Sequence, residues 1–419
     1  MSNQHVDVLV IGAGISGISA AHHLQTQCPE KSFLILEGRD SIGGTWDLFK
    51  YPGIRSDSDM YTLGFSFRPW RDPKTIADGP SILSYLRGAV EDGGLQDKIR
   101  FGRKVVKAQW SSQDAEWELT VLNTQNKQEE TLTCGFVHMC TGYYNYEQGH
   151  RPTFPGEKNF KGPVIHPQFW PEDLDYDNKK VVVIGSGATA VTLVPAMAEK
   201  AAKVTMLQRS PTYIVSMPAE NALANWARRN LPAKLAYGLT RWRNVLLNRL
   251  MFWYCRRFPE QAKKLLLKGV RAELPSGFDI EKHLTPHYNV WDQRVCLAPD
   301  GDFFTALRAS KADIVTDQIE SFTKRGVKVA SGAEIEADII VSATGLDLRF
   351  FGGVDIQVDN KAVLAKDTMT YKGMMFSGVP NFALSSGYTN ASWTLKCDLT
   401  SAYVCRLLNH MDKKGYTQA

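Results

Sequence analysis

Two apolar runs, each followed directly by a glycine-rich turn and a helical stretch, dominate the hydrophobic pattern of the chain. The first run is 6–11, and it leads into Gly12-Ala13-Gly14-Ile15-Ser16-Gly17. The second is 180–184, and it leads into Gly185-Ser186-Gly187-Ala188-Thr189-Ala190. Short runs rich in β-branched residues are typical of parallel strands that are covered on both faces. The pattern therefore predicts two units of strand, tight turn and helix.

The two turns have the composition of dinucleotide sites, because glycines permit a tight turn and let a pyrophosphate approach the helix N-terminus. In the first unit Glu37 ends the next strand, 25 positions after Gly12 (37 − 12), where a carboxylate can accept hydrogen bonds from a ribose diol. In the second unit Arg209 lies 24 positions after Gly185 (209 − 185) and favours a 2′-phosphate. The first site is thus predicted to bind FAD or NAD, and the second NADPH.

Both units also end alike, in a strand that closes on Thr141-Gly142 and on Thr344-Gly345. The second unit is longer by 30 positions (345 − 185 against 142 − 12), which predicts an insertion. The insertion is 221–272, a helix-like stretch with twelve Lys and Arg against one acidic residue, Glu260, and with interleaved aromatics. Basic aromatic helices suit a membrane surface. The favoured hypothesis is instead a helical cap whose aromatics pack inward while its cations face water.

Composition and charge narrow the functional classes. The 419 residues are 43% hydrophobic and 22% charged, with a net charge of +5, which is too mild to argue for nucleic acid. The seven cysteines are scattered without a C-x-x-C pair, so we expect no disulfide framework, no metal site and no disulfide reductase. Residues 1–5 are polar, so we expect no secretory signal, and no apolar run reaches the ~18 residues of a membrane span. These features predict a cytoplasmic protein.

Two further segments are candidates for a ligand contact and for a hinge. Gly43-Gly44-Thr45-Trp46-Asp47 precedes 51–60, and its two glycines permit backbone to lie against a flat ligand that Trp46 can cover. From these residues alone, the hypothesis that this segment contacts a flavin and the hypothesis that it does not are equally favoured. The joint between the units is 160–171, in which His166 and Trp170 can pack against both domains. Taken alone, His166 is interpreted as a structural histidine.

Taken together, the two glycine motifs and the segment F-x-G-x-x-x-H-x-x-x-W-P between them resemble a type I Baeyer–Villiger monooxygenase. The strings GGTWDLFKYPGIRSDSDMYTLGF, PHYNVWDQRVC and GYTNASWTLK resemble the branch that contains the mycobacterial ethionamide-activating monooxygenase. Matching motifs run from Asp7 to about Asp412, which is nearly the whole chain.

The resemblance implies an FAD- and NADPH-dependent enzyme that inserts one oxygen atom of O₂ into a ketone, through a C4a-peroxyflavin, to give an ester or lactone. Oxidation of sulfides and thioamides is implied as well. The oxyanion formed on the ketone needs a preorganised cation in a dry site. The resemblance assigns this role to Arg294, with Asp57 as its carboxylate partner. A buried guanidinium without a counter-charge is costly, so a paired Asp is expected on physical grounds too.

The resemblance also implies which residues contact the cofactors. The expected FAD contacts are Gly12, Gly14, Ile15, Ser16, Gly17, Glu37, Gly44, Thr45, Trp46, Asp57, Val106, Thr141, Gly142 and Asn390. The expected NADPH contacts are Gly185, Ser186, Gly187, Ala188, Thr189, Gln208, Arg209, Ser210, Thr344 and Trp393. The characteristic linker residues are Phe160, Gly162, His166 and Trp170.

The implied fold class is α/β, with two dinucleotide-binding, Rossmann-like domains, the NADPH domain being inserted in the FAD domain. The expected division is 1–145 for the first part of the FAD domain, 146–175 for the linker, 176–345 for the NADPH domain with a helical insertion at about 220–290, and 346–419 for the rest of the FAD domain.

The expected partners are a small-molecule ketone or sulfide and O₂, with no nucleic acid and at most a weak peripheral membrane contact through 221–272. Two alternatives stay open. One is an N- or S-hydroxylating flavin monooxygenase, which Trp170-Pro171 disfavours. The other is an NADPH oxidase or membrane-associated redox module without productive turnover.

Overall fold

The computed structural model of the protein describes residues 4–419, so Met1, Ser2 and Asn3 lie outside the described residues. The elements before the linker are β1 (Gln4–Ile11), α1 (Ile15–Gln27), β2 (Phe33–Leu36), α2 (Thr45–Leu48), α3 (Met60–Leu63), α4 (Gly79–Asp92), β3 (Ile99–Arg100), β4 (Arg103–Ser111), β5 (Glu116–Asn123), β6 (Glu129–Met139) and β7 (Tyr144–Gly149).

The middle of the chain forms the second unit and its insertion. Its elements are β8 (Val164–Ile165), β9 (Lys180–Ile184), α5 (Ala188–Ala198), β10 (Lys203–Gln208), β11 (Ile214–Met217), α6 (Ala222–Asn230), α7 (Ala233–Arg257), α8 (Pro259–Glu273), α9 (Ile280–Leu284), β12 (Cys296–Pro299), α10 (Asp302–Arg308), β13 (Ala312–Thr316), β14 (Ile319–Phe322), β15 (Gly326–Val329), β16 (Glu334–Glu336) and β17 (Ile339–Ser342). The last part of the chain contains β18 (Leu346–Leu348), β19 (Asp355–Val358), β20 (Lys361–Ala362), β21 (Thr370–Tyr371), β22 (Met375–Phe376), β23 (Phe382–Leu384) and α11 (Trp393–Lys414).

The first unit is built on a nine-stranded sheet in the order β20-β19-β4-β5-β6-β1-β2-β3, with β23 also paired to β6. Strand β1 runs parallel to β2 and β6, and its residues Val8, Leu9 and Val10 are fully buried, as the apolar run predicts. Strands β19 and β23 come from the last part of the chain and pair with β4 and β6. The chain therefore returns to the first sheet after completing the second unit.

The second unit is built on five parallel strands in the order β13-β10-β9-β17-β8. The central strand β9 is buried from Val181 to Ile184, and α5 packs against it. The strand β8, which lies within the predicted linker, pairs with β17 and so forms the edge of this sheet. A mixed sheet with a parallel core, interrupted along the chain by a wholly parallel sheet, confirms the predicted α/β class with two Rossmann-like units.

A two-stranded antiparallel ribbon joins the two units. Strands β7 and β18 pair through Leu346 with Gly149 and through Leu348 with Tyr144. Each strand follows closely on the Thr-Gly end of its own unit, so the chain leaves the first sheet and comes back to it through neighbouring strands. One glycine turn consequently lies on each side of the boundary between the two units.

The insertion is helical, as predicted, but the favoured packing of its aromatics is wrong. Trp226, Trp242 and Trp253 are 56%, 68% and 58% exposed. The reason is that small or polar residues of α7, such as Ala236 and Thr240, already fill the face that lies toward the rest of the protein. The large apolar side chains occupy the opposite face.

All seven cysteines are free and buried. Within residues 4–419, no helix is long and apolar enough to cross a membrane. The same part of the chain contains no group of three or more His, Cys, Asp and Glu side chains with the spacing of a metal site.

Candidate active site

The first glycine turn joins β1 to α1 in a space that admits only glycine. Gly12 has a φ of +105°, and a Cβ built there would lie 2.7 Å from the carbonyl oxygen of Cys140. A Cβ on Gly17 would lie 1.8 Å from the carbonyl oxygen of Gly12, so α1 packs directly against the turn. This packing leaves the N-terminus of α1 at the carboxyl edge of the strands, where α/β sheets bind dinucleotides.

Glu37 lies just beyond β2 and is oriented by backbone amides. The amide of Ala13 donates to Oε2 over 2.8 Å, and the amide of Arg39 donates to Oε1 over 2.9 Å. The residue is only 8% exposed. Each carboxylate oxygen keeps a further acceptor position. The fixed carboxylate therefore fits the two hydroxyls of a dinucleotide ribose.

The loop after Glu37 lies against the first glycine turn. A Cβ on Gly44, whose φ is +56°, would lie 3.3 Å from the Cα of Gly14 and 3.1 Å from the hydroxyl of Tyr146. Arg39 fixes this loop through Nη2, which lies 2.6 Å from Oδ2 of Asp47. Burial raises the pKa of Tyr146, which keeps its hydroxyl protonated. Turn and loop together form two sides of a narrow cradle that a larger side chain would fill.

One cavity of about 720 Å³ reaches both glycine turns. The predicted site residues that line it are Gly12, Gly14, Ile15, Ser16, Glu37, Gly44, Thr45, Trp46, Asp57, Thr141, Gly142, Ala188, Thr189, Arg294 and Trp393. Val106 and Asn390 are not among its lining residues, whereas their neighbours Val105 and Ala391 are. Val106 lies at a bulge where the pairing of β4 with β5 shifts, so the side-chain alternation slips by one residue there. Gly17 does not line the cavity either, and all the assigned FAD contacts, those of Val106 and Asn390 included, stay predictions.

Trp393 lies beside the first glycine turn. Its Nε1 donates to Oγ of Ser16 over 2.7 Å, and its ring centroid lies 5.2 Å from that of Tyr143. The same Ser16 hydroxyl contacts Sγ of Cys397 at 3.2 Å. These contacts fix Trp393 beside the first glycine turn, and its assignment to NADPH stays a prediction.

The second glycine turn joins β9 to α5. Gly185 has a φ of +130°, and a Cβ there would lie 2.3 Å from the carbonyl oxygen of Ala343. Nothing lies within 4 Å of a Cβ placed on Gly187, so the N-terminus of α5 is open to a ligand. The Ser186 hydroxyl donates to the carbonyl of Ser210 over 2.9 Å and ties the turn to the segment after β10.

Gln208, the last residue of β10, and Arg209, which follows it, differ in their surroundings. Gln208 is buried, and its Nε2 donates to the carbonyl of His283 over 2.7 Å and to the Thr316 hydroxyl over 2.9 Å. Arg209 is exposed and makes no ion pair within residues 4–419. An exposed guanidinium beside the Ser186–Ser210 contact is well placed to meet a phosphate from solution.

The Thr-Gly end of the second unit holds the linker. The Thr344 hydroxyl donates to the carbonyl of His150 over 2.7 Å. Nε2 of His166 donates to the carbonyl of Gly345 over 3.1 Å, and its Nδ1 accepts from the amide of Gln168 over 3.2 Å. Burial lowers the pKa of His166, which favours this neutral form. His166 therefore links the linker to the end of β17.

The other linker residues also pack against the second unit. Phe160 is buried and meets Phe322 edge to face, with the ring centroids 6.4 Å apart. A Cβ on Gly162 would lie 2.0 Å from the carbonyl oxygen of Asp338, so only glycine permits this approach. Trp170 packs against the buried core that β9 and α5 share. The motif thus holds β8 and the joint against the second sheet.

The side chains of Arg294 and Asp57 form an ion pair at the wall of the large cavity. Nε of Arg294 lies 2.7 Å from Oδ2 of Asp57. Arg294 precedes β12 in the second unit and Asp57 lies between α2 and α3 in the first, so the pair joins the two units. The expectation of a buried guanidinium is wrong, since 43% of the Arg294 side chain is exposed. The side chain borders an open cavity.

A second ion pair, which could not be predicted from the sequence, joins the same two units. Here the first unit supplies the cation and the second unit the carboxylate. The guanidinium of Arg55 pairs with the carboxylate of Asp302, and its Nη2 also donates to the carbonyl of Leu297 over 3.4 Å. The Arg55 side chain is 15% exposed and lines the large cavity. The loop of the first unit therefore offers the cation of Arg55 and, two residues later, the carboxylate of Asp57 to the second unit. Arg55 and Asp302 are 247 positions apart in the sequence, so only the structure shows that they pair.

Tyr51, also missed by the sequence analysis, brings the same loop to the second glycine turn. It is 7% exposed, and it lines the same cavity as Thr189 of that turn. Burial raises the pKa of Tyr51 to about 12, so the phenol stays protonated. A Cβ on Gly53 would lie 2.7 Å from Cβ of Ala196, which shows how closely the loop follows α5.

The sequence profile of the flavin-binding monooxygenase-like family matches residues 5–227. The chain belongs to this family. The FAD-containing monooxygenase EthA of Mycobacterium tuberculosis is 55% identical over 414 residues, which cover 99% of this chain and 84% of that protein. The probable FAD-binding monooxygenase AlmA of an Acinetobacter species is 51% identical over 416 residues, which cover 99% of this chain and 83% of that protein.

Solved structures of monooxygenases share the fold of this flavin-binding monooxygenase-like protein. An oxidized steroid monooxygenase bound to NADP superposes with a TM-score of 0.82 at 23% identity and covers 99% of this chain and 88% of its own. An ε-caprolactone-bound cyclohexanone monooxygenase superposes with a TM-score of 0.79 at 22% identity and covers 99% of this chain and 89% of its own. These likenesses support the two-unit architecture.

Proposed function

We propose that this protein is an FAD- and NADPH-dependent Baeyer–Villiger monooxygenase that inserts one oxygen atom of O₂ into ketones to give esters or lactones. One observation carries the proposal. Residues of both glycine turns, Ser16 and Thr189 among them, line a single cavity whose wall holds the Arg294–Asp57 pair. A flavin and a nicotinamide bound at the two turns would therefore share one space with a guanidinium.

We assign FAD to the first turn and NADPH to the second. Support for FAD comes from the fixed Glu37 carboxylate and from the cradle between Gly14 and Gly44. The FAD-containing relatives agree with this assignment. Support for NADPH comes from Arg209, whose exposed guanidinium lies at the end of β10, where NADP-specific sites hold a 2′-phosphate.

The bound flavin would supply the oxygen-transfer chemistry, with electrons from NADPH. The chain's own contribution is a fixed positive charge for the oxygen anion that develops on the ketone. Arg294 suits this task because a guanidinium stays protonated at any working pH. Asp57 holds the guanidinium in one orientation, while the remaining donors of Arg294 are free to face the cavity.

We propose the domain division at 1–145, 146–175, 176–345 and 346–419. Support comes from the two sheets and from the β7–β18 ribbon between them. We also propose a cytoplasmic location, which the free, buried cysteines favour. We further propose that the protein contacts a membrane surface peripherally through 221–272.

The same cavity is compatible with oxidation of sulfides and thioamides, because a sulfur lone pair needs no oxyanion partner. An N- or S-hydroxylating monooxygenase and an unproductive NADPH oxidase are the alternatives to test. An absorption spectrum of the purified protein should show bound flavin. Incubation with NADPH in air and a panel of ketones and sulfides should then give esters. Sulfoxides alone would indicate the heteroatom hydroxylase, and hydrogen peroxide alone would indicate the oxidase.

A further inference from the structure

The helix α7 has two faces, and the inner one is clamped to the first unit. Nη1 of Arg241 donates to the carbonyls of Tyr61 and Gly64, each over 2.7 Å, at the end of α3. The hydroxyl of Tyr237 donates to the carbonyl of Phe65 over 2.9 Å. Both donors lie on the same side of α7 and bond to the backbone of the first unit. They therefore fix the rotation of α7 about its own axis.

The outer face of α7 is a continuous apolar stripe. Its members follow one another at intervals of three or four residues, which places them on one side of a helix. All are between 50% and 68% exposed, and they are Leu235, Leu239, Trp242, Leu246, Leu250 and Trp253. At ~1.5 Å per residue the stripe is about 27 Å long. Leu223 and Trp226 on α6 are each 56% exposed as well.

The insertion that carries this outer stripe is strongly cationic. The segment 221–272 has a charge of +11 (twelve Lys and Arg against Glu260). Six of these cations are exposed and make no ion pair within residues 4–419, and they are Arg229, Lys234, Arg249, Arg257, Lys264 and Lys268. A surface of this kind combines apolar side chains, interfacial Trp and uncompensated positive charge.

We propose that the outer stripe of α7 lies in the plane of an anionic lipid bilayer, with its Leu and Trp side chains inserted and the cations of the insertion on the lipid headgroups. Amphipathic helices of this composition bind at the headgroup boundary, where Trp is favoured. A second copy of the chain is a poor occupant, because it would bring two segments of charge +11 face to face. This inference rests on the membrane contact proposed above and does not depend on the oxygenase activity.

The clamp gives this contact a defined position relative to the active site. On the inner side of α7, Nδ2 of Asn244 donates to Oδ1 of Asp59 over 2.8 Å. Asp59 caps α3 and lies two residues after Asp57, the partner of Arg294. A bilayer on the outer face is therefore one helix away from the loop that carries the proposed catalytic pair.

Co-sedimentation with vesicles tests the proposal on the flavin-loaded full chain. Wild type should bind vesicles that contain phosphatidylglycerol and bind pure phosphatidylcholine weakly. Raising NaCl from about 0.1 M to about 1 M shortens the Debye length from about 10 Å to about 3 Å and should release most of the protein. Trp242→Glu/Leu246→Glu should lower the bound fraction at low salt about tenfold, since it removes inserted apolar area and adds negative charge.

Met369→Glu is the matched control, because Met369 is an exposed apolar residue, 78% accessible, outside the insertion. This variant should bind as wild type does. Both variants should keep their flavin absorbance and their turnover of a water-soluble ketone, which separates loss of docking from loss of fold or function. The proposal is overturned if wild type fails to bind anionic vesicles or if the double variant binds them equally well. A wild-type dimer that the double variant abolishes would also overturn it, since a second copy would then be the occupant.

Discussion

Nε of Arg294 and Oδ2 of Asp57 meet at 2.7 Å across the boundary between the two units, at the wall of the cavity that both glycine turns share. Arg294→Ala should leave FAD binding intact, because Arg294 is not among the nearest neighbours of Gly14 and Gly44 in the cradle. Ester formation should fall about 10²–10³-fold, as expected for loss of one oxyanion partner. NADPH oxidation should continue and end in hydrogen peroxide.

Arg308→Ala is a matched control for this variant. Arg308 also belongs to the second unit, its Nη1 lies 2.7 Å from Oε2 of Glu273, and its side chain is 42% exposed. It does not line the cavity. Gas chromatography of esters, with a peroxide assay alongside, measures both products. Ester formation by Arg294→Ala at the level of Arg308→Ala would contradict the assigned role.

The ion pair between Arg55 and Asp302 should act by positioning the loop that carries Asp57. Arg55→Ala should lower the ester formed per NADPH consumed about tenfold, the effect of ~1.4 kcal/mol, with little change in flavin content. Arg55→Lys keeps the charge and should recover part of the loss. In a double-mutant cycle, Asp302→Asn should add little to Arg55→Ala because the two side chains act as one unit. Full additivity of the two losses would refute the positioning role.

Arg209 should determine the choice between NADPH and NADH. Removing a charge-assisted contact worth roughly 1.5–3 kcal/mol should raise KM for NADPH about 10–100-fold in Arg209→Ala. KM for NADH should change little, since NADH has no 2′-phosphate. Arg325→Ala, another exposed cation of the second unit, serves as control. An unchanged NADPH preference in Arg209→Ala would mean that this side chain does not bind the phosphate.

His138 should make the stability of the fold depend on pH. Burial, with a smaller contribution from His23, lowers the pKa of His138 from 6.5 to about 4. Between these values the unfolded chain binds a proton that the folded chain does not, so stability falls as the pH drops through this window. The loss should approach about 3 kcal/mol in the free energy of unfolding. Urea unfolding at pH 7 and pH 4.5 should show a smaller loss for His138→Gln than for wild type, and equal losses would contradict the argument.

Local patterns were sufficient to predict the two units. The apolar runs before Gly12 and Gly185 became β1 and β9, and each turn is followed by a helix, because these features depend on neighbouring residues. Glu37 and Arg209 were also found by spacing, since a strand–turn–helix unit has a nearly fixed length. The pair of Arg294 and Asp57 came from resemblance to a family and not from pattern.

Long-range packing accounts for most of what the sequence did not show. Arg55 and Asp302 are 247 positions apart, and nothing local marks them as partners. Strand β8 has two residues, too few for any periodicity. The exposure of Trp242 was missed because the apolar face of α7 lies outward and its small and polar face lies inward, and periodicity alone does not say which face is covered.

The source of the inserted oxygen is the most direct test of the account. Purified, flavin-loaded protein should be incubated with NADPH and a ketone that it converts, under ¹⁸O₂ in unlabelled water, and the product analysed by mass spectrometry. We expect wild type to form an ester or lactone that carries one ¹⁸O atom, and Arg294→Ala to form about 10²–10³-fold less of it. Ketone recovered unchanged while NADPH is consumed, or an ester without label, would contradict it.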